Sequence, residues 1–350
     1  MKKERQAPFE IAGITIEPGS TKTVQLPLHT LPNQTVFSLN MRIIHGKHPG
    51  KRLFISSTIH GDELNGIEAI RRVMASPHLQ HLKGTLIIVP IVNTIGAIIQ
   101  SRYLHDRRDL NRCFPGSEKG SSASQLANKF LTEIVARCTH GIDLHTGSGN
   151  RTNLPQIRCD FQNEETLRIA LAFGAPVILK AEQRQGSLRQ AAEQLNVPTI
   201  LFEGGEAFRF DEFAIRAATQ GILRVMQTLG MIKSRKSGTV KHHPVICPTS
   251  RWLRAPNTGF FRTNCTLGKM VSKGDVVGRI SDPLGTHTTD VVAFGEGIII
   301  GKLELPLVFQ GDALFNIAWV PDPAKAEEII EEYGESTEVA FSLDDPETYS

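Results

Sequence analysis

The stretch LFISSTIHGDELNGIEAIRRVM, residues 53–74, joins an apolar run to an amphipathic run through a short polar turn. Residues 53–59 are apolar or small, which predicts a buried strand, and residues 64–74 have helical periodicity. His60 and Glu63 lie between the two runs, and a spacing of three places both side chains on the same side of a helical turn. Because ligands bind at strand ends in open α/β sheets, we predict a functional site at this turn.

Apolar strands and helical stretches continue to alternate up to about residue 235. After residue 74 the predicted elements cover residues 86–92, 125–137, 142–145, 165–173, 177–179, 188–194, 199–202 and 213–229. This alternation predicts an α/β domain over residues 1–235, with a largely parallel or mixed sheet and helices on both faces. Residues 9–44 alternate like β-hairpins, with turns at Pro18-Gly19 and Pro32-Asn33, and we expect them to form edge strands.

The chain changes character after a polar, basic stretch at residues 233–238, which we interpret as a linker. Glycine-separated apolar runs follow and predict a C-terminal all-β domain over residues 236–325. Residues 268–278 are similar in spacing to biotinyl and lipoyl carrier barrels, but residues 282–290 contain no lysine that could be modified. We therefore expect a barrel-sandwich-like domain with a structural or capping role. Residues 326–350 are acidic and predict a short helix followed by a loose tail.

The composition is that of an ordinary globular protein. Of 350 residues, 40% are hydrophobic and 21% charged, and the net charge of +3 comes without a lysine and arginine block. This argues against nucleic acid as a partner. The N-terminus lacks an apolar signal core, and no run of about twenty apolar residues could span a membrane. We expect a cytoplasmic protein without a membrane partner, and whether it forms a homo-oligomer stays open.

A second segment, near residue 145, completes a candidate metal site together with His60 and Glu63. His145 ends another apolar run, and Asp143 precedes it by two residues, so both side chains share one face of an extended strand. Zinc hydrolases use two histidines and one carboxylate and leave a fourth position to water. His60, Glu63 and His145 could supply those ligands, although a lone His-x-x-Glu or a histidine near a strand end is more often a satisfied polar residue.

Four motifs together resemble the succinylglutamate desuccinylase and aspartoacylase family, which is related to the zinc carboxypeptidases. They are His-Gly-Asp-Glu at residues 60–63, Asp-Leu-Asn-Arg-x-Phe-Pro-Gly at residues 109–116, Asp-Leu-His-Thr at residues 143–146 and Phe-Glu-Gly-Gly at residues 202–205. The resemblance implies a zinc-carboxypeptidase-like mixed sheet flanked by helices. It also implies one zinc ion per chain, held by His60, Glu63 and His145.

The resemblance also implies roles for side chains around the metal. Asp109 would orient the first ligand histidine, and Asp143 is expected to support the third ligand from outside the metal shell. Asn111 and Arg112 would hold a free carboxylate of the substrate, for which a planar guanidinium is well suited. These residues would make the site selective for an anionic small molecule.

Two catalytic roles have competing candidates. Glu203 matches the family's general base, although it could instead cap the helix that begins nearby, and Glu206 is the competing candidate. An arginine that precedes residues 109–116 would stabilise the oxyanion. Arg102 is the best match, and Arg107 and Arg108 remain alternatives.

Three further positions are weaker candidates. Asn93 resembles a family Asn-Pro position but is not followed by proline. The family's C-terminal domain lies near the mouth of the active site, so His287 and Arg262 could reach the substrate, although solvated loop side chains are commoner.

The five cysteines show no Cys-x-x-Cys spacing and are odd in number, which predicts reduced thiols. Cys113 lies next to Arg112, which could favour its thiolate. A catalytic role for it is not expected, because the zinc set already provides the nucleophile.

The predicted function is zinc-dependent hydrolysis of an amide bond in a small anionic N-acyl amino acid or related N-acyl compound. Two alternatives stay open: a zinc carboxypeptidase that acts on peptides, and a non-catalytic module that binds an anionic metabolite. The motifs do not specify the acyl group or the amine, because the pocket walls come from loops.

Overall fold

The structure, a computed structural model, describes residues 5–30, 34–233 and 243–343. Three predicted features lie wholly or partly outside these residues: the turn at Pro32-Asn33, the linker beyond Lys233 and the end of the acidic tail. The described residues form seven α-helices and nineteen strands. None of the described helices is both long enough and apolar enough to cross a membrane.

The chain begins with two antiparallel hairpins. Their strands are β1 (Phe9–Ile11), β2 (Ile14–Ile16), β3 (Ser20–Thr30) and β4 (Val36–His45). β1 pairs with β2, and β3 pairs with β4 along nearly its full length. β3 forms one edge of a large mixed sheet.

Strands and helices then alternate largely as the sequence pattern predicts, except that a strand at Arg151–Cys159 was not predicted and follows the preceding strand without a helix between them. The strands are β5 (His48–Ser57), β6 (Lys83–Val89), β7 (His140–Gly147), β8 (Arg151–Cys159), β9 (Val177–Lys180) and β10 (Thr199–Glu206). The helices are α1 (Asn65–Ala75), α2 (Thr94–Ile98), α3 (Ser122–Glu133), α4 (Glu164–Phe173), α5 (Leu188–Gln194) and α6 (Glu212–Thr228). Short 3₁₀ turns lie at Pro77–His81, Leu110–Arg112 and Val135–Arg137.

After α6 the described residues form strands alone until the final helix. These strands are β11 (Val245–Cys247), β12 (Ser250–Arg254), β13 (Gly259–Arg262), β14 (Met270–Val271), β15 (Val276–Ser281), β16 (Thr288–Val292), β17 (Gly297–Leu303), β18 (Leu307–Val308) and β19 (Ala313–Ala318). The helix α7 spans Pro323–Leu343 and is therefore longer than the short helix expected in the acidic segment.

One mixed sheet of thirteen strands runs through the molecule. Its main path is β12-β19-β17-β8-β10-β7-β5-β6-β4-β3, and β9, β11 and β14 pair beside this path. β10, β7, β5 and β6 are parallel neighbours, whereas β8 and β4 flank them in antiparallel pairs. β17 pairs directly with β8, so the sheet continues into the C-terminal strands.

Helices cover both faces of the parallel strands. α1, α4 and α6 pack over one face in a core that includes Ile70, Phe173 and Ile222. α3 and α5 pack over the other face, where Phe130 and Leu188 are fully buried. A separate four-stranded sheet, β16-β15-β13-β18, packs through a third core against β12, β17 and β19. The molecule is thus an α/β protein with an all-β C-terminal part.

Local sequence signals explain where the helices begin. Ser121, Asn163, Ser187 and Asp211 each accept a hydrogen bond from a backbone N–H in the first turn of α3, α4, α5 and α6. Such caps satisfy helix donors that have no partner within the helix. The start of α1 has no such side-chain cap. Instead, Gly66 lets the helix lie directly against Ser57 of β5 and Leu144 of β7. A Cβ there would lie 2.1 Å from Ser57 Oγ.

Candidate active site

Three adjacent parallel strands bring the predicted residues to one edge of the sheet. β5, β7 and β10 are neighbours, so their carboxyl ends meet there. His60 and Glu63 follow β5 in the turn before α1, whereas His145 lies in β7 and Glu203 in β10. His145 and Glu203 are register partners across the two strands. This is the edge at which parallel sheets bind ligands.

The side chains of His60, Glu63 and His145 converge at the centre of this edge. Nδ1 of His60 lies 2.8 Å from Glu63 Oε1, and Nδ1 of His145 lies 2.7 Å from Glu63 Oε2. One ligand atom from each residue can be chosen so that all three lie within 4.8 Å of one another. All three residues are buried. We call this set the ligand cluster.

A carboxylate contacts the far nitrogen of each histidine in the ligand cluster. Asp109 Oδ1 lies 3.1 Å from His60 Nε2, and Asp143 Oδ2 lies 2.8 Å from His145 Nε2. Ser56 Oγ donates to the other oxygen of Asp143 at 2.8 Å. Because a carboxylate accepts, these contacts favour a proton on Nε2 and leave Nδ1 available as a ligand.

Close backbone packing shapes the turn that carries His60 and Glu63. Gly61 lies against the start of α2, and a Cβ there would lie 2.0 Å from the carbonyl carbon of Gly96. Asn93 caps α2, with its Oδ1 accepting from Gly96 N at 2.8 Å, so this residue has a structural partner in the turn. Only a glycine fits between the first ligand and α2.

In the ligand cluster, the carboxylate favours the charged form of both imidazoles, and the imidazoles favour the charged form of the carboxylate. Burial lowers the pKa of His60 and of His145, but neighbouring carboxylates raise it by more, so both pKa values lie above the ordinary range. Burial raises the pKa of Glu63, yet the two imidazoles lower it further, and its pKa is well below the usual value. The pKa of Asp109 is also lowered, against burial, by His60 and Arg102. The carboxylates are therefore ionised at neutral pH and attract positive charge.

Of the three candidate arginines, the structure brings Arg102 to the ligand cluster. Its Nη1 donates to Glu63 Oε1 at 3.2 Å and its Nη2 donates to Asp109 Oδ2 at 3.0 Å. Arg107 and Arg108 are both exposed, and Arg108 Nε lies 4.0 Å from Asp106 Oδ2 in the same loop.

Asn111 and Arg112 line a cavity of about 210 Å³ beside the ligand cluster. They belong to the 3₁₀ turn that Asp109 caps by accepting from Asn111 N at 2.9 Å. Asn111 Oδ1 accepts from Leu188 N, the first residue of α5, at 2.9 Å. The motif at residues 109–112 therefore ties the ligand cluster, the cavity wall and α5 together.

Glu203 faces the cavity, and Glu206 does not line it among the described residues. Glu203 Oε2 accepts from Asn153 Nδ2 at 2.6 Å, and Glu203 Oε1 lies 3.6 Å from Arg158 Nη1. Glu206 instead pairs with Arg209 at 3.2 Å. The helix near Glu203 is capped by Asp211, so Glu203 is not its cap.

The cavity carries more positive charge than the motifs indicate. Six arginines and two glutamates line it, and the arginines are Arg102, Arg112, Arg151, Arg158, Arg184 and Arg189. The buried Nε atoms of Arg151, Arg158 and Arg189 have no hydrogen-bond partner among the described residues. Burial and the neighbouring Arg158 lower the pKa of Arg189.

The last four of these arginines were missed because no motif contains them. Arg151 and Arg158 lie on β8, and Arg189 lies at the start of α5, where only the sheet order brings them to the site. An aromatic ring from the C-terminal strands, Trp252, also lines the cavity, with the Arg151 guanidinium 5.4 Å from its ring centre.

Two weaker candidates lie away from the cavity. His287 and Arg262 are exposed and do not line the cavity among the described residues.

The expectation of a favoured thiolate at Cys113 is wrong, because burial and the negative charge of Asp106 raise its pKa. Its Sγ donates to the carbonyl oxygen of Asp109 at 3.3 Å.

Comparison with known proteins finds relatives of this chain. Residues 49–229 match a family model described as the succinylglutamate desuccinylase/aspartoacylase catalytic domain. The N-alpha-acetyl-L-2,4-diaminobutyric acid deacetylase of Halomonas elongata is 26% identical over 295 residues, which cover 77% of this chain and 83% of that protein.

Solved structures share the fold at lower identity. A succinylglutamate desuccinylase/aspartoacylase from Rhodobacter sphaeroides has a TM-score of 0.76 at 22% identity, covering 86% of this chain and 95% of that chain. The product-bound ectoine utilization protein of Ruegeria pomeroyi has a TM-score of 0.78 at 21% identity, covering 89% of this chain and 98% of that chain. Both likenesses extend over the α/β part and the C-terminal strands together.

Proposed function

The chain belongs to the succinylglutamate desuccinylase/aspartoacylase family, and on that premise we propose that it is a zinc-dependent deacylase. It would hydrolyse the amide bond of a small anionic N-acyl amino acid or a related N-acyl compound. We further propose that its mixed sheet is of the zinc carboxypeptidase type. The deacetylase name of the Halomonas elongata relative supports the reaction class.

The observation that carries the proposal is the ligand cluster with its two outer carboxylates. Two imidazole nitrogens and a carboxylate converge, and both imidazoles are held by Asp109 and Asp143 in the orientation that frees Nδ1. This donor set fits zinc, which binds nitrogen and carboxylate ligands and keeps one position open in catalytic sites. When bound, zinc would supply a Lewis acid that polarises the amide carbonyl and lowers the pKa of water.

Glu203 is the proposed general base. Its carboxylate would take a proton from the attacking water and deliver it to the nitrogen of the leaving amine. Its position in β10, directly across from His145 in β7, supports this role because the attacking water must lie between the base and the ligand cluster. The products would be a carboxylic acid and a free amine.

Arg102 is proposed to stabilise the oxyanion of the tetrahedral intermediate. A guanidinium beside the ligand cluster could donate to the charge that develops on the carbonyl oxygen. Its contacts with Glu63 and Asp109 hold it at the cluster. Arg107 and Arg108 lack such contacts with the cluster, so Arg102 is preferred.

The arginines of the cavity support an anionic substrate. Asn111 and Arg112 would hold its carboxylate, because a planar guanidinium can donate hydrogen bonds to both carboxylate oxygens at once. The buried Nε donors of Arg158 and Arg189, which have no hydrogen-bond partner among the described residues, favour further negative charge. N-alpha-acetyl-diaminobutyrate, for which the Halomonas elongata relative is named, carries a side-chain amine as well as a carboxylate, and the arginines of this cavity would disfavour that amine.

A panel assay tests the proposal. Zinc-loaded protein would be incubated with acetyl, succinyl and longer-acyl derivatives of acidic, neutral and basic amino acids and with short peptides, and released amine would be measured. We expect release from the N-acyl acidic amino acids. Glu203→Gln should keep its zinc and lose nearly all turnover. Preferential release from peptides would favour a carboxypeptidase, and zinc binding with no release from any compound would favour a binding module.

A further inference from the structure

Two side chains of β8 hold the carboxylate of Glu203 at both of its oxygens. Asn153 Nδ2 donates to Oε2 at 2.6 Å, and Arg158 Nη1 lies 3.6 Å from Oε1. Because an ionised carboxylate only accepts hydrogen bonds, the Asn153 amide must turn its NH₂ group towards Glu203 and its Oδ1 away. The orientation of the Glu203 side chain thus depends on the placement of this amide.

An irregularity in strand pairing brings Asn153 to the Glu203 side of the sheet. Glu203 pairs with Gln156, so regular antiparallel pairing would place Leu154 opposite Gly205. The register shifts, and Asn153 lies opposite Gly205 instead. A one-residue shift moves a side chain from one face of a sheet to the other. The extra residue on β8 therefore places an amide, and not a leucine, beside Glu203.

The C-terminal strand β17 leaves room for the Asn153 amide. Gly301 of β17 is the register partner of Asn153. A Cβ at Gly301 would lie 2.9 Å from Asn153 Oδ1 and 3.3 Å from the Cβ of Asn316. Only a residue without a side chain allows Oδ1 to remain where it is, because the backbone of β17 is fixed by pairing on both sides.

We propose that Asn153 is a positioning residue for Glu203 and that Gly301 of β17 keeps it in place. This inference rests on the proposed function, in which Glu203 is the general base. It assigns the C-terminal strands a part in the reaction that needs no contact with the substrate. Asn153 also lines the cavity, but its Nδ2 donates to Glu203, so its loss should affect turnover more than substrate binding.

Substitutions at both positions test the coupling. Asn153→Leu removes the donor at nearly constant size, and Asn153→Asp keeps the shape but replaces the donor with an acceptor. We expect kcat to fall on the order of 10–100-fold in both, with KM within about threefold and zinc content unchanged, since small misplacements of a reacting group cost about this much. Gly301→Ala should lower kcat on the order of tenfold by displacing Oδ1.

Gly295→Ala is the matched control for Gly301→Ala. Gly295 lies in the turn before β17, and a Cβ there meets no atom within 4 Å. Its kcat, KM and unfolding temperature should equal those of the parent protein. If Gly301→Ala has the same kcat as this control, the proposal that Gly301 of β17 keeps the Asn153 amide in place is wrong.

The same experiment separates this inference from the proposed function. If Glu203→Gln abolishes turnover while both Asn153 variants keep kcat within about twofold, the positioning role alone is wrong. If Glu203→Gln remains fully active, the proposed base is wrong and the positioning role fails with it. A loss of zinc or of folded protein that accounts for the lower kcat of every variant would show a structural role instead and overturn the inference.

Discussion

Each histidine of the ligand cluster is paired with a carboxylate on its outer side, and this arrangement depends on short sequence motifs. Asp143 and His145 are two residues apart on one strand, whereas Asp109 reaches His60 from a distant loop. The outer carboxylates fix the orientation of the imidazoles and keep Nδ1 directed into the cluster. They are therefore expected to govern metal affinity as well as geometry.

Asp109→Asn should weaken zinc binding on the order of 10–100-fold, the usual effect of losing such a partner. The amide would keep its shape but lose the charge that supports His60 and attracts Arg102. Chelator competition at one pH measures the zinc dissociation constant. Asp290→Asn is the control, because Asp290 pairs with Arg279 on the four-stranded sheet. Unchanged zinc affinity in Asp109→Asn would contradict the supporting role.

Arg112→Lys should raise KM for an N-acyl acidic amino acid on the order of tenfold and change kcat less, because an ammonium cannot form two parallel bonds to a carboxylate. Initial rates over a range of substrate concentrations provide both constants. Arg108→Lys, on an exposed side chain of the same region, should leave both unchanged. An equal KM in Arg112→Lys would show that Arg112 does not hold the substrate.

The sequence motifs pointed to His60, Glu63, His145 and Glu203 as site residues. The structure brings these four to the carboxyl ends of β5, β7 and β10. It could not be predicted that Asn153 contacts Glu203, because that contact depends on a register shift between two strands distant in sequence. The arginines of β8 could not be placed because residues 151–159 were not predicted to form a strand, and that of α5 because no local pattern shows which elements are neighbours.

The start of α1 is the element that places Glu63. The predicted helix, residues 64–74, agrees with Asn65–Ala75 to within one residue at each end, whereas the predicted strand, residues 53–59, shares only residues 53–57 with His48–Ser57. Periodicity located the helix because the apolar face of α1 is regular, but the first half of the strand, residues 48–52, is polar and carries no apolar pattern. The close approach of α1 to the strand ends was not visible in the sequence pattern, although Gly66 makes it possible.

Gly66→Ala should lower the free energy of unfolding by about 1–3 kcal/mol, as expected when a methyl group is forced into packed surroundings. Its Cβ would lie 2.1 Å from Ser57 Oγ and 2.8 Å from Leu144 Cβ. Gly334→Ala, in α7 with no atom within 4 Å, should instead stabilise by roughly 0.5–1 kcal/mol. Denaturant unfolding compares the two. Equal effects in both variants would show that α1 is not tightly packed.

The whole molecule is held together by a sheet that crosses from the α/β part into the C-terminal strands. Alternating strands and helices predicted the first part, and glycine-separated apolar runs predicted the all-β character of the second. The pairing of β17 with β8 was not predictable, because the two strands are separated by more of the chain than any local pattern covers. This pairing brings Trp252 of β12 to the cavity wall.

Trp252→Ala should enlarge the cavity and shift preference towards longer acyl groups. We expect the ratio of kcat/KM for a hexanoyl over an acetyl derivative to rise by about tenfold or more, since single methylene differences in a pocket are worth this much. Trp319→Ala, at the other tryptophan, which is exposed, is the control. An unchanged ratio would mean that Trp252 does not limit the acyl group.

We propose that one zinc ion at the ligand cluster makes this chain a deacylase. The most direct test adds zinc in steps to chelator-treated protein and follows amine release from an N-acyl acidic amino acid. The rate should rise from near zero and level off at one zinc per chain, and His145→Ala should abolish the rise. Equal amine release with and without zinc, or none after one zinc has bound, would contradict the claim.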